Sequence, residues 1–297
     1  MLDLVIPARP HAIGTLEVGR VLPFMRRRMV GPFIFLDHIG PIDLPAGIPR
    51  SADVRPHPHI GLATITYLFA GEITHRDSLG YAQVIRPEEV NWMHAGRAIS
   101  HSERFDGMRQ AGGPLHGLQA WVALPEREED SDPGFDHYGA ADLPVLQEQG
   151  IRGRLIAGQG FGLKSGVRSR SPLFYLHLTL EDGARIALPD YPERAVYVVA
   201  GAIAHEGQRY ERGQMLVFSP GSDTTVTALA PASLMALGGE PLGERHIWWN
   251  FVSSRKARIV EAKADWQAGR IPLPTADDRE FIPLPDEPSV PPPEPLS

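Results

Sequence analysis

Short apolar runs, separated by polar and turn-forming residues, recur along most of the chain and are typical of β-strands joined by tight turns. The first group includes residues 33–36, 62–69 and 119–124. After a polar and acidic stretch at 126–137, such runs resume with residues 173–180. This pattern predicts an all-β protein in which the polar stretch is a linker or surface loop between two strand-rich blocks.

One stretch near the C-terminus has the spacing of a helix instead. Within residues 256–267 the side chains of Ile259, Ala262 and Trp266 fall on one side, and Gly269 follows in the position of a C-cap. The sequence therefore predicts a short C-terminal helix over 256–267.

An internal repeat indicates two lobes of similar structure. Residues 66–75 and 196–205 are identical at five of ten positions, and each combines an apolar strand, a glycine turn and a returning strand. Their offset of 130 residues is the size of one β domain. A chance similarity between two β-hairpins is the alternative. We expect two antiparallel β-barrels, with an N-terminal lobe at 1–135, a C-terminal lobe at 136–281 and a proline-rich tail at 282–297.

Composition supports many strands and excludes several classes of protein. The 297 residues include 30 glycines and 29 prolines, too many helix-breaking residues for a helical bundle or a coiled coil. The net charge of −7 disfavours direct binding of nucleic acid. Because the chain has no cysteine, it has no disulfides and no thiolate metal site, so any metal must be held by histidines and carboxylates.

The sequence shows no segment for membrane insertion or export. No apolar run reaches the roughly 18 residues that a membrane span needs. The N-terminal region lacks the basic and apolar stretches of a signal peptide. We therefore expect a cytoplasmic protein without a membrane partner.

Two short motifs suggest a metal site. His57 and His59 are separated by one residue, and so are His101 and Glu103. Alternate side chains of a strand point to the same face, so one strand can aim two imidazoles into a barrel and another an imidazole and a carboxylate. Either motif alone is compatible with surface residues, a loop or a helix start. Together, separated by strand–turn–strand sequence, they predict a site of three histidines and one glutamate.

The second lobe supplies an internal control for this site. With the offset of 130, His57 and His59 correspond to Ala187 and Pro189. Aligning the Gly96 and Gly221 turns places His101 and Glu103 on the apolar residues Val226 and Ala228. Since none of these side chains binds a metal, we expect one metal site, in the N-terminal lobe.

An ordered series of motifs between residues 30 and 125 resembles the pirin family of the cupin superfamily. The motifs are GPFIFLDH at 31–38, PHPHIG at 56–61, HRDSLG at 75–80, VNWM at 90–93, HSE at 101–103 and LHGLQ at 115–119. The C-terminal half matches more loosely, as a degenerate second lobe. The resemblance implies a bicupin fold of two antiparallel jelly-roll barrels. It also implies an iron ion in the N-terminal barrel, with the ligands His57, His59, His101 and Glu103.

The resemblance implies an activity and also an alternative without catalysis. Pirin-like proteins are associated with quercetin 2,3-dioxygenase activity, which would give this chain a small aromatic, flavonol-like substrate and O₂. Members in animals are associated with transcriptional co-regulation, and some bacterial members with metabolic control through protein partners. The alternative is therefore a non-enzymatic, metal-dependent regulatory protein with a protein partner. A third possibility is another metal-dependent cupin enzyme, since one ligand set serves several chemistries.

The ligand set limits the metal and assigns roles to the residues. Fe(II) is the ion that the resemblance favours, and mixed nitrogen and oxygen ligation also suits Ni(II), Mn(II), Cu(II) or Zn(II). A flavonol hydroxyl bound to such an ion would be acidified, and Glu103 is the candidate catalytic residue that accepts its proton. The residues expected to orient the imidazoles or to line the pocket are Asn91, His94, Gln119 and Phe33.

Overall fold

The computed structural model describes residues 1–286, and most of its regular structure is strand. The first twelve strands are β1 (Leu2–Pro7), β2 (Arg9–Ile13), β3 (Leu16–Leu22), β4 (Phe33–Leu44), β5 (Val54–His59), β6 (Leu62–Ala70), β7 (Ile73–Asp77), β8 (Ala82–Ile85), β9 (Val90–His94), β10 (Ile99–Arg104), β11 (Gly113–Ala123) and β12 (Gly134–Tyr138). The later strands are β13 (Val145–Glu148), β14 (Ile151–Gly160), β15 (Leu163–Lys164), β16 (Leu173–Leu180), β17 (Arg185–Ile186), β18 (Glu193–Ala200), β19 (Ala202–His205), β20 (Gln208–Glu211), β21 (Gln214–Phe218), β22 (Val226–Ala228), β23 (Ala232–Gly239), β24 (His246–Trp248) and β25 (Phe251–Ser253). The helices of this part of the chain are α1 (Asp106–Ala111) and α2 (Lys256–Gln267). The prediction of an all-β fold with a short C-terminal helix is confirmed.

The C-terminal helix forms at the predicted residues. α2 buries Ile259, Ala262 and Trp266 in a cluster with Phe251 of β25. Gly269 follows the helix with a φ of +67°, the left-handed backbone that lets glycine end a helix without strain. Within the described residues, neither helix combines the length and the apolar character that crossing a membrane requires.

The chain divides into two compact units, each assembled from three segments. The histidine unit comprises residues 11–18, 39–137 and 242–286, and the counterpart unit comprises residues 1–10, 19–38 and 138–241. The sequence predicts continuous lobes that meet at 135/136, whereas the C-terminal segment joins the histidine unit. It does so because β25 and α2 bury their apolar residues against Ile60. Of the predicted tail, residues 287–297 lie outside the described part of the chain.

The counterpart unit consists of two antiparallel sheets that share one apolar core. The larger sheet has the strand order β1-β21-β18-β23-β16-β14-β13, with β15 paired to β14. The smaller one, here called the counterpart sheet, has the order β17-β22-β19-β20. Leu176 and Val196 of the larger sheet pack with Ile203 of the smaller one in the same buried cluster. The apolar faces of the two sheets therefore meet, as in other antiparallel double-sheet folds.

The histidine unit repeats this plan. Its smaller sheet, here called the histidine sheet, has the order β5-β10-β7-β8, and strands β9, β6 and β11 are neighbours in the facing sheet. Leu68 of β6 and Leu115 of β11 are buried together with Ile73 of β7 and Ile85 of β8. The unit also contains the two-stranded sheet β24-β25. The histidine and counterpart sheets are thus built from strands in corresponding order.

The repeated sequence forms the same hairpin in both units. Gly71 joins β6 to β7 with a φ of +83°, and Gly201 joins β18 to β19 with a φ of +77°. A Cβ at either position would approach a carbonyl oxygen, that of Pro114 or that of Pro231, to less than 3.0 Å. Both turns therefore require glycine for its backbone conformation and for its small size.

The C-terminal segment braces one face of β10. Arg104 is fully buried, and its guanidinium donates to both carboxylate oxygens of Asp277 at 2.6 and 2.8 Å. The hydroxyl of Ser102 donates to the same carboxylate at 2.6 Å. Burial alone would raise the pKa of Asp277, but these hydrogen bonds hold that pKa below its ordinary 3.8. Ser102 and Arg104 alternate with His101 and Glu103, so the bracing acts on the opposite face of the same strand.

The acidic stretch at 126–137 is partly structural rather than a simple loop. It contains a 3-10 turn at Glu126–Glu128 and runs into β12. The carboxylate of Glu129 is buried, accepts a hydrogen bond from Ser253 at 2.7 Å and lies 3.2 Å from the guanidinium of Arg245. The Glu129 carboxylate is therefore paired inside the histidine unit and is not exposed to a partner.

Candidate metal centre

The two predicted histidine motifs lie side by side in the histidine sheet. β5 and β10 pair in antiparallel register, with His101 directly opposite His57 and Ile99 opposite His59. Because side chains alternate along a strand, His57 and His59 share one face of β5, as His101 and Glu103 share one face of β10. The register therefore brings together histidines that are more than 40 residues apart in the sequence.

The three imidazoles converge in the interior of the unit. One nitrogen from each of His57, His59 and His101 lies within 4.8 Å of the other two. All three side chains are buried, with at most 7% of the residue exposed. Among the described residues, this is the one group of three or more histidines or carboxylates close enough to share an ion.

The orientation of the rings fits a divalent metal ion. Nδ1 of His57 lies 2.8 Å from the carbonyl oxygen of Arg55, and Nδ1 of His59 lies 3.2 Å from that of Asn250. Each Nδ1 therefore carries the hydrogen and leaves the lone pair of Nε2 for a ligand bond. Two nitrogens bound at about 2.1 Å and about 90° to one ion lie about 3.0 Å apart. Nε2 of His59 and Nε2 of His101 are 3.1 Å apart, as such an ion requires.

The electrostatics of the site favour neutral rings. Burial lowers the pKa of His57 to about 4, against the opposing effect of its hydrogen bond to Arg55. Burial, reinforced by the neighbouring imidazoles, lowers the pKa of His59 and that of His101 well below the ordinary 6.5. Since a metal ion binds the neutral imidazole, the site is prepared for a ligand role at neutral pH.

Glu103 lies next to this group without belonging to it. Its carboxylate is not among the donor atoms that approach within 4.8 Å of one another, and the register between β10 and β5 shifts between His101 and Glu103. Burial raises the pKa of Glu103 to about 7, although a hydrogen bond with Thr66 acts in the opposite direction. Its role as the fourth ligand and as proton acceptor stays a prediction.

His101 is supported by two further side chains of the histidine sheet. Its Nδ1 lies 3.2 Å from Nδ1 of His75, and Nε2 of His75 lies 3.0 Å from a carboxylate oxygen of Asp77. Both residues belong to β7, which pairs with β10 so that Asp77 is opposite His101 and His75 is opposite Glu103. Neither residue is among the predicted site residues, although His75 and Asp77 have the same one-residue spacing as the two ligand motifs.

The four residues expected to orient the imidazoles or line the pocket make other contacts. Nδ1 of His137 lies 2.8 Å from the side-chain oxygen of Asn91, and Nε2 of His94 lies 2.7 Å from the hydroxyl of Ser131. Gln119 comes nearest to the predicted role, because its amide oxygen lies 2.8 Å from the Thr66 hydroxyl, whose hydrogen it shares with the Glu103 carboxylate. Phe33 lies in the counterpart unit, and its ring is 5.3 Å from that of Tyr175. Their roles in the pocket stay predictions.

The counterpart sheet has different residues at the corresponding positions. Thr74 of β7 is opposite Arg104, and its repeat partner Ala204 of β19 is opposite Thr227. Arg104 therefore corresponds to Thr227. Counting from this pair towards the N-terminus, Glu103 corresponds to Val226 and His101 to Thr224. The sequence alignment placed them two residues further on, at Val226 and Ala228, because the loops between these strands differ in length. The hydroxyl of Thr224 accepts a hydrogen bond from the backbone of Leu188, as a structural residue would.

Comparison with known proteins identifies the family. Residues 15–122 match the pirin family model, and residues 175–272 match that of the pirin C-terminal cupin domain. This chain belongs to the pirin family. The predicted bicupin fold is thereby confirmed, with one cupin matched on each side of residue 138.

Individual relatives extend over nearly the whole chain. A pirin-like protein of Caulobacter vibrioides is 58% identical over 96% of this chain and 100% of its own length. A Pseudomonas aeruginosa protein that carries a provisional quercetin 2,3-dioxygenase name is 39% identical over 89% of this chain and 83% of its own. The crystal structure of a quercetin 2,3-dioxygenase from Acinetobacter baumannii superposes with a TM-score of 0.88, at 32% identity over 97% of this chain and 96% of that one.

Proposed function

We propose that this pirin is a metal-dependent dioxygenase of the quercetin 2,3-dioxygenase type, acting on flavonol-like substrates with O₂. The observation that carries the proposal is the convergence of His57, His59 and His101, whose rings leave three Nε2 atoms for one ion. Glu103 on the same strand face adds a carboxylate beside them. The likeness to a quercetin 2,3-dioxygenase over 97% of the chain supports this reaction class.

Each residue has a separate task in this proposal. A divalent ion, Fe(II) in the first instance, would act as a Lewis acid on the hydroxyl of a flavonol. The three histidines hold the ion, and Glu103 accepts the proton that the hydroxyl loses. The hydroxyl of Thr66 lies within hydrogen-bonding reach of both the Glu103 carboxylate and the Gln119 amide oxygen, and its single hydrogen is donated to one of them at a time.

The test compares two histidine variants. Metal-free protein is loaded with Fe(II) or Ni(II) without oxygen, mixed with quercetin and exposed to air, and the quercetin absorbance is followed. The wild type is expected to consume quercetin, whereas His59→Ala should not, because one of three nitrogen ligands is lost. The control His246→Ala removes a half-buried imidazole from β24 and should act like the wild type. Equal rates in wild type and His59→Ala would contradict the proposal.

The same experiment separates the enzyme from the regulatory alternative. A protein that binds one ion per chain through these histidines but turns over no flavonol would fit a metal-dependent protein that acts through a partner. A protein that binds no ion would contradict both functions. The cytoplasmic location and the protein partner stay predictions.

A further inference from the structure

A continuous line of polar atoms runs from the centre of the site to a buried carboxylate. Nε2 of His101 faces the other ligands, and Nδ1 of His101 lies 3.2 Å from Nδ1 of His75. Nε2 of His75 lies 3.0 Å from Oδ2 of Asp77. All three side chains are at most 5% exposed. This line therefore lies in the interior of the unit rather than in solvent.

The hydrogens along this line have one consistent arrangement. For Nε2 of His101 to present a lone pair, Nδ1 must carry the hydrogen and donate it to Nδ1 of His75. His75 then carries its own hydrogen on Nε2 and donates it to the Asp77 carboxylate, which is acceptor only. Each group thus fixes the tautomer of the next, beginning from the negative charge of Asp77.

Both supporting residues are held in place by their surroundings. Oδ1 of Asp77 accepts hydrogen bonds from the backbone amides of Leu79 and Tyr81, at 2.9 and 3.1 Å. The ring of His75 stacks on Phe135, with centroids 4.3 Å apart and planes inclined by 14°. Because neither side chain can rotate freely, both can define the position of a third.

The support of His101 differs in kind from that of the other two ligands. His57 and His59 donate to the backbone carbonyls of Arg55 and Asn250, which are neutral groups. His101 donates through a second imidazole to a carboxylate, and such outer partners raise the basicity of a ligand and fix its tautomer. The histidine sheet thus carries a charged support for one ligand of three.

We infer that His75 and Asp77 are positioning residues that hold His101 in the tautomer and orientation needed to bind the metal. The inference rests on the proposed metal site and adds to it a mechanism that sets the affinity for the ion. It predicts that altering either residue weakens metal binding although neither touches the ion. Loss of such supporting groups typically lowers metal affinity by about 10–100-fold.

The first experiment measures the affinity for Zn(II) by competition with a chelating dye. Asp77→Asn keeps the size of the side chain but offers an amide hydrogen to His75, which reverses the tautomer of His75 and sets two N–H groups against each other at His101. We expect a loss of affinity of about 10–100-fold. Asp106→Asn is the matched control. Asp106 accepts a hydrogen bond at 2.7 Å from Arg76, which lies between His75 and Asp77 on β7, and the loss of its charge should leave the affinity for Zn(II) unchanged.

A second pair of variants keeps the test decisive if Asp77→Asn fails to fold. His75→Gln retains an oxygen that can accept the hydrogen of His101, whereas His75→Phe retains only a ring that can stack on Phe135. The expected order of Zn(II) affinity is wild type, then His75→Gln, then His75→Phe. Equal affinity in all three would overturn the inference.

The tautomers themselves provide a readout that a merely structural role would not move. In Zn(II)-loaded protein with ¹⁵N-labelled histidine, NMR should place the ring hydrogen of His75 on Nε2 in the wild type and on Nδ1 in Asp77→Asn. An unchanged tautomer would overturn the inference while leaving the metal site intact. If the wild type binds no Zn(II), Ni(II) or Fe(II), the proposed function itself fails, and the inference with it.

Discussion

The histidine sheet and the counterpart sheet have corresponding strand orders but different chemistry. In each unit, the hairpin that leads from the larger sheet into this smaller sheet turns at a glycine with positive φ, Gly71 in one unit and Gly201 in the other. In the histidine sheet the central strand β10 presents His101 and Glu103, whereas β22 and the residues before it present Thr224 and Val226 at these positions. The comparison shows that the barrel is specified by turns and apolar residues common to both units, and that the site depends on a few side chains added to one of them.

The largest expected effect comes from giving the histidine sheet the residues of its counterpart. The double variant His101→Thr, Glu103→Val removes one imidazole and the adjacent carboxylate. Its Zn(II) affinity, measured by dye competition, should fall by more than the roughly 10–100-fold typical of losing a residue that only supports a ligand. The control His205→Ala removes a buried imidazole from the counterpart sheet and should leave the affinity unchanged. An undiminished affinity in the double variant would show that the ion binds elsewhere.

The next largest effect concerns the glycine turn that the two units share and its contribution to the free energy of unfolding. Gly71→Ala and Gly201→Ala each force a Cβ into left-handed backbone and against a carbonyl oxygen. Each should lower the free energy of unfolding by about 3 kcal/mol, measured by urea denaturation. Gly80→Ala is the control, because its φ is +93° but nothing lies within 4 Å of the added Cβ, so it should cost about 1 kcal/mol. If only one of the two variants lowered the free energy of unfolding, the two hairpins would not be structurally equivalent.

A smaller effect, dependent on pH, concerns the bracing of β10 by the C-terminal segment. Asp277→Asn loses the charged hydrogen bonds to Arg104 and should lower the free energy of unfolding by about 2 kcal/mol at pH 7. The pKa of Asp277 is lowered in the folded state, so this stabilisation is complete above the ordinary 3.8 and is lost as the pH falls through the folded-state value.

Urea denaturation of the wild type and of Asp277→Asn, at pH 7 and at pH 3, checks the direction of this pH dependence. The difference in unfolding free energy between wild type and Asp277→Asn should be smaller at pH 3 than at pH 7. A difference that is equal at the two pH values would show that the Asp277 charge contributes nothing to the bracing.

Much of the fold could be predicted because its signals are local. Apolar runs and turn residues identify strands, and the spacing of Ile259, Ala262 and Trp266 identifies α2. The assignment of strands to units could not be predicted in the same way. That the segment from residue 242 returns to the histidine unit depends on the burial of Phe251 against Ile60, a contact between residues far apart in the sequence.

The candidate site likewise contains residues that local spacing predicts and residues whose role depends on the pairing of distant strands. The pairs His57/His59 and His101/Glu103 were predictable because alternate residues of one strand share a face, and the register of β5 with β10 then places His101 opposite His57. His75 and Asp77 obey the same spacing, but their role depends on the register that places Asp77 opposite His101. Spacing within β7 does not reveal that register, because it is set by pairing between strands. Asn91 and His94 bond to His137 and Ser131, and their predicted role beside the imidazoles stays a prediction.

The proposed function requires one divalent ion between the three imidazoles of the histidine sheet. Metal-free protein can be titrated with Ni(II), crystallised and examined by anomalous diffraction. We expect one ion per chain, bound to Nε2 of His57, His59 and His101. An ion held by other residues, or no ion at saturating Ni(II), would contradict it.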